Sequence, residues 1–416
     1  MTEREQVQGL TKHNARSIVS ALESWLDDPV RPCGPYLNKR TLNKRTKGVC
    51  MREPVMRRAA FGHAVKKLHW TSCRAFSLGC ALSLCGLVAL TSAIAPAPAF
   101  ATDPQIRYSI PSSKAASSLL LDVTHTGSRL VVAGDRGHIL YSDDGGATWT
   151  QAKVPTRQLL TAIYFADEQH GWAVGHDALI LATTDGGQTW RQQYENREGE
   201  VPLLDVWFEN PQHGLAVGAY GLLLETHDGG QTWDDIAARI DNEDGFHLNA
   251  ITAIKDSGLF VVGEMGGMFR SADMGQTWER VESPYQGSLF GVISGREAGL
   301  VVAFGLRGHL FRSMDFGSSW ETISLGNRDN PLEAGLADGN LLGDGRMVVV
   351  GHGGVVLSSD DQGRSFEIYN RPDRRSLSGV VTNAEGNLIL VGQSGASIAS
   401  PSGANLPNKN NKPEQP

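Results

Sequence analysis

One eight-residue string, Ser/Thr-x-Asp-x-Gly-x-Ser/Thr-aromatic, returns six times and restricts the fold more than any other feature of the chain. The copies are SDDGGATW (142–149), TTDGGQTW (183–190), THDGGQTW (226–233), SADMGQTW (271–278), SMDFGSSW (313–320) and SDDQGRSF (359–366). Their aspartates, Asp144, Asp185, Asp228, Asp273, Asp315 and Asp361, follow one another at steps of 41, 43, 45, 42 and 46 residues. Repetition at such a period means one supersecondary unit that cannot bury its apolar face alone and stacks on copies of itself.

The frame around each copy repeats too. A β-rich run and a Gly turn come before it, as in LVVAGDRGHILYS, GWAVGHDALILAT and MVVVGHGGVVLSS, with alternating apolar residues on both sides of the turn. That pattern is a hairpin. A further strand lies upstream in most units (LLTAIYFAD at 159–167, LLDVWFEN at 203–210), and a short outer strand follows each aromatic residue. Four short strands per unit make a propeller blade. A worn seventh unit, 376–400, supplies three strands and breaks at Pro401, while PQIRYSIPSS (104–113) is strand-like without a blade of its own. Pairing those two removes an open sheet edge. The fold predicted is all-β: a seven-bladed β-propeller over 102–404, closed by an N-terminal strand. Six blades is the alternative if 376–400 packs elsewhere.

The octapeptide reads as a turn device. Its Asp accepts backbone N–H groups, its Gly takes a positive φ, and its hydroxyl residues close the loop. The aromatic residue, Trp149, Trp190, Trp233, Trp278, Trp320 or Phe366, returns to the interface between blades. A catalytic centre is asymmetric whereas a staple is needed in every blade, so these aspartates are assigned structure and no chemistry.

The first hundred residues differ in kind. Residues 1–101 carry 15 Lys/Arg and 6 Asp/Glu, while 102–416 carry 23 and 39, a balance of −16 that argues against a nucleic-acid partner. All five cysteines precede residue 86, so the rest has no thiol chemistry. Phe76 to Ile94 is uncharged and apolar, is preceded by Lys66, Lys67 and Arg74, and is followed by Ala99-Phe100-Ala101. This is the pattern of a secretory signal (region 51–101) cleaved before Thr102, with an uncleaved anchor as the alternative. Export places the protein in the periplasm, or in the thylakoid lumen of a photosynthetic host. Residues 1–50 read as a basic extension of the gene, with Met51 or Met56 as the start, and 405–416 as a disordered tail.

Candidate chemistry is sparse. The nine histidines after residue 101 form no His-Glu-x-x-His pair, and the Gly-rich strings lead into strands and not into helix N-termini. No catalytic, cofactor or metal site is therefore expected. Recognition is better supported. The turns between second and third strands gather on one face around the channel, and their frame repeats while their tips do not. The candidate binding residues there are Arg136, His176, Asp177, Tyr220, Glu264, Arg307 and His352.

The octapeptide is similar to the Asp-box, or BNR repeat. The frame GWAVG…ILATTDGGQTW (171–190) most resembles the photosystem II stability/assembly factor family over residues 104–400. That resemblance implies a non-enzymatic propeller serving assembly of a membrane or envelope protein complex. Its partner would be the photosystem II reaction centre in a photosynthetic host, and an exporter otherwise. The alternative implied by other Asp-box proteins is a sialidase-like glycosidase or a carbohydrate-binding protein. The glycosidase lacks the usual Phe/Tyr-Arg-Ile-Pro segment, and Arg270 and Arg312 occupy a repeated strand position.

Overall fold

The computed structural model describes residues 106–406. The proposed extension, the signal region and most of the tail lie outside them. Seven antiparallel sheets follow one another along the chain, each with its strands in sequence order. Six have four strands and the seventh has three; a small hairpin, Gly326–Asn327 with Asn330–Pro331, stands in the connection before the sixth. The first strands, from Leu120–Thr126 in blade 1 to Leu377–Thr382 in blade 7, are the innermost and pack against one another around the centre.

The second strands, such as Gly171–Gly175, Gly214–Gly218 and Met347–Gly351, are buried at every residue except Arg129, which opens that of blade 1. Each has a neighbouring blade on both faces, so its sequence is continuously apolar where a half-exposed strand would alternate. The core is accordingly divided into interfaces between blades. Val131, Ala133 and Ile139 of blade 1 meet Ile163, Ala173 and Leu181 of blade 2, and Val302, Phe304 and Leu310 of blade 5 meet Met347, Val349 and Leu357 of blade 6.

Every first strand carries a bulge at its second residue. The second strand ends opposite it in a glycine: Gly134, Gly175, Gly218, Gly263, Gly305, Gly351 or Gly392. A Cβ at any of the seven would collide with the carbonyl of the residue entering the first strand. The residue after each glycine donates its N–H to that carbonyl, as in Asp135 to Leu119 and His176 to Leu159. The seven glycines are needed for this close approach.

Ring closure corrects one expectation. Residues 106–113 form no strand and do not pair with the seventh sheet. They lie along the outer side of blade 1, where Ser109 N donates to Val154 O (2.8 Å) and Arg157 Nε to Tyr108 O (2.8 Å). Pro111 has no N–H to give to a ladder, and the short turn at Ala115–Ser117 meets the seventh blade through a single bond, Ala396 N to Ala116 O. The edge strand Ser397–Ala399 is covered instead by the chain just after it. Asn405 bridges Ala399, and Arg371 bonds Gly403 O and Asn405 Oδ1. Blade 7 then closes on blade 1 by packing, with Val381, Ile389 and Val391 against Leu120, Val132 and Leu140. The Ser378 hydroxyl adds a bond to Leu120 O at 2.8 Å.

Candidate binding face and central channel

The six octapeptides fold into superimposable networks. The leading Ser or Thr hydroxyl donates to the Asp Oδ1 at 2.7–2.9 Å and accepts the Gly N–H at 2.7–3.1 Å. The residue four after the Asp's own leader-bonded carboxylate gives its hydroxyl to Oδ2 at 2.6–2.7 Å. These bonds favour the ionised form. Asp144 is held down to about 2 by the hydroxyl and N–H of Thr148, and Asp228 to about 2 by the N–H and hydroxyl of Thr232. Asp361 also lies at about 2 despite opposing burial, because Ser365 bonds it twice. The aromatic residues turn inward: Trp190 is edge-on to Phe165, Trp233 to Phe208 and Trp320 to Phe260. Trp149, Trp278 and Phe366 pack against the cores of the preceding interfaces.

On the opposite face, each of the first six blades joins its second and third strands by a three-residue turn whose middle residue is left-handed. These residues are Arg136 (φ 56°), Asp177 (φ 58°), Tyr220 (φ 55°), Met265 (φ 50°), Arg307 (φ 57°) and Gly353 (φ 66°). Glycine takes this conformation freely and other residues pay about 1–2 kcal/mol for it. Five of six tips nonetheless carry a side chain, and the five are of four kinds. Backbone strain accepted where glycine would serve is a mark of a side chain in use. The Arg136 side chain is 79% exposed and makes a salt bridge to Asp135 at 3.3 Å. Tyr220 is 47% exposed and Met265 58%.

Four of the candidate residues form two groups. Tyr220 and Glu264 meet through His247: the Tyr220 ring is edge-on to it at 5.0 Å, and His247 N donates to Glu264 Oε2 at 3.1 Å. Burial drives the His247 imidazole below its ordinary range against the pull of Glu264. His176 and Asp177 stand with Gln158 and Glu195, and Gln158 Nε2 bridges the two carboxylates at 2.8 and 3.0 Å. Burial lowers His176 and raises Asp177, the latter helped by Glu195. His176 Nε2 is buried without a hydrogen-bond partner. Arg136, Arg307 and His352 top blades 1, 5 and 6; burial lowers His352 as well. Reading the sequence did not select His247 or Met265. The first lies in a connection before a strand, and the second is an apolar residue whose exposure only the left-handed turn creates.

The channel holds a feature the repeats concealed. Asp122, Asp205 and Asp338 occupy one position, just after the bulge, in the first strands of blades 1, 3 and 6. Each reaches the neighbouring first strand: Asp122 Oδ2 accepts Ile163 N (2.8 Å), Asp205 Oδ2 accepts Ile251 N (2.8 Å) and Asp338 Oδ2 accepts Val380 N (3.2 Å). Burial raises Asp122 to about 6 and Asp205 to about 7, the latter also through repulsion from Asp122. Burial, then Asp122, places Asp338 well above the usual range. The sequence holds a signal for two of them, the identical string LLDV at 120–123 and 203–206, which sets an acid inside an apolar strand.

A model of the photosynthesis system II assembly factor YCF48 family matches residues 147–202 and 195–323, and a BNR/Asp-box repeat model matches 140–151. The photosystem II stability/assembly factor HCF136 of Cyanidioschyzon merolae is 44% identical over 61 residues, 14% of each chain. The photosystem II assembly protein Ycf48 of a Synechococcus strain is 34% identical over 139 residues, 33% of this chain and 41% of its own length. The chain thus spans less than half of either relative. Among solved structures, YCF48 bound to D1 peptide superimposes with a TM-score of 0.54 at 19% identity, over 68% of this chain and 92% of that one. A streptogramin B lyase does so with a TM-score of 0.57 at 11% identity, over 68% and 93%. The fold alone therefore serves both an enzyme and a peptide binder. In repeat and fold this chain is a propeller built from BNR/Asp-box units, similar over residues 147–323 to the photosystem II assembly factor family.

Proposed function

We propose that the mature chain is a non-enzymatic assembly or stability factor that holds an extended segment of a membrane-complex subunit against the face bearing the left-handed tips. The observation that carries this reading is the set of five side chains kept, against backbone strain, at Arg136, Asp177, Tyr220, Met265 and Arg307. A rigid ring of repeated blades fixes their positions, and unlike tips supply the selectivity. The D1 peptide bound by a structural relative favours a photosystem II reaction-centre subunit as the partner class. The perturbed carboxylates are engaged by backbone N–H groups and serve as pins between blades, which fits holding and not turnover. The apolar run at 76–94 and the Ala-x-Ala site at 99–101 act in this reading as an export signal, delivering residues 102–404 to the periplasm or the lumen.

The test is in-cell cross-linking of the tagged chain followed by identification of captured proteins. Wild type is expected to capture a reaction-centre subunit. The Arg136→Glu, Arg307→Glu double variant, folded by its melting curve, is expected to capture about tenfold less through reversed charge at the rim. Capture at wild-type level by that variant would overturn the face. Recovery of an exporter would replace the partner, and recovery of no membrane-complex subunit would overturn the assembly role.

A further inference from the structure

Blade 3 departs from its siblings at one place on the Asp-box side. The turn between its first and second strands ends in His213, its third strand Leu223–Thr226 carries Glu225, and His227 follows that strand inside the octapeptide. Because Gly214 pairs with Thr226 and Leu215 with Glu225, the antiparallel ladder sets His213 opposite His227 with Glu225 alongside. His213 Nε2 lies 3.2 Å from Glu225 Oε1, and His227 Nε2 lies 3.3 Å from Glu225 Oε2. One ligand atom from each of the three fits within 4.8 Å of the others.

We propose that His213, Glu225 and His227 form a zinc-class divalent metal site, with the fourth position open to solvent. Two imidazoles and a carboxylate are a recurring zinc donor set. Bonds of about 2.0–2.1 Å at tetrahedral angles separate donor atoms by roughly 3.3 Å, close to the 3.2 Å from His213 Nε2 to Glu225 Oε1, while His227 Nε2, 3.3 Å from Oε2, must move to share Oε1. The Glu225 side chain is only 3% exposed, and the Arg239 guanidinium already neutralises one of its two oxygens. Arg239 Nη1 meets Oε2 at 2.7 Å, which leaves Oε1 available.

The surroundings are those of a ligating histidine. His213 Nδ1 sits 2.9 Å from Glu209 Oε2, and a carboxylate on the far nitrogen fixes the tautomer that presents Nε2 to a metal. Trp207, edge-on to His213 at 6.4 Å, walls the ring on one side. The two imidazoles are now stacked, 4.7 Å apart and 4° from parallel. A metal in the plane of both requires His227 to turn its ring, and that side chain is 66% exposed and free to do so.

The repeated scaffold supplies the internal control. At the His213/His227 position blade 1 has Arg129 and Asp143, an ion pair at 2.6 Å. Blade 2 has the Asp167–His170 pair, the counterpart of Glu209–His213, but Thr184 and Ala182 in place of His227 and Glu225. The turn pair thus recurs without a donor set, and blade 3 alone adds the buried Glu and the second His.

The experiment is zinc titration of the full chain with its cysteines alkylated, read by calorimetry and by the zinc-dependent rise in melting temperature. Cobalt absorption serves as an independent report of tetrahedral geometry. Wild type is expected to bind one zinc and to melt higher with it. His227→Gln, at an exposed position that leaves the fold intact, is expected to weaken binding at least tenfold. Glu209→Gln is expected to weaken it by about 10–100-fold with the ligands unchanged. No zinc uptake by wild type, or equal uptake by wild type and His227→Gln, would overturn the site.

Discussion

At Asp185 one carboxylate accepts the hydroxyls of Thr183 and Thr189 and the N–H groups of Gln188 and Thr189. Those four donors are the bonds of the turn that depend on its carboxylate. Removing the acceptor in Asp185→Ala frees them together, and the expected cost is about 1–3 kcal/mol, the range for stranding hydrogen-bonding groups partly shielded from water. Denaturant unfolding checks it: a midpoint unchanged from wild type would show that the turn holds without its Asp. Partner capture by the same variant should be unaffected below its melting temperature, because the octapeptides lie on the side of the ring away from the tips. This residue-scale logic was legible in the sequence. A side chain that bonds only its neighbours within four positions leaves its entire mechanism in one short string.

Elements obey a less local rule, and here the strain at the tips becomes measurable. Tyr220 holds φ 55° where glycine would rest without penalty. Tyr220→Gly should therefore stabilise the fold by up to about 1 kcal/mol, the left-handed cost of about 1–2 kcal/mol less the extra chain entropy of glycine. It should weaken partner capture at the same time. A variant that loses stability, or that captures normally, would remove Tyr220 from the binding face. The sequence located these turns, since the Gly-containing string between two apolar runs marks them in every unit. It did not convey which tips project. Exposure of Met265 and the pairing of Tyr220 with Glu264 through His247 depend on turns from separate blades meeting across an interface. The His213–Glu225–His227 cluster escaped for the same reason. Its members are 12 and 2 residues apart and meet only through strand register, which no ligand-spacing motif encodes. Placement of residues 106–113 failed differently: a strand-like pattern states that a segment can pair, and the sheet edge it would join was already covered by the turn at 400–405.

Across the whole ring, two sets of aspartates push stability in opposite directions with pH. For the octapeptide set the folded pKa lies below the unfolded value of 3.8, at about 2 for Asp144, Asp228 and Asp361. Their contribution is present at neutral pH and is lost as pH falls from about 4 towards 2. For the channel set the folded pKa lies above 3.8, at about 6 for Asp122 and about 7 for Asp205, with Asp338 also raised. The fold then binds protons that the unfolded chain has released, so stability declines as pH rises from about 4 through 7 and levels off beyond. The three channel carboxylates repel one another as they ionise, and each pins two adjacent first strands, so the decline acts on the closure of the ring. His125, His138, His176, His247 and His352, lowered from 6.5 by burial, act in the opposite sense as pH rises to that value, so the channel contribution is read as a difference between wild type and a channel variant. Asp205→Asn removes one charge from the channel and should flatten the decline between pH 5 and pH 8 while leaving the acid limb in place. An Asp205→Asn profile that runs parallel to wild type from pH 5 to pH 8 would show that the channel aspartates stay ionised and that their backbone N–H bonds outweigh burial and mutual repulsion.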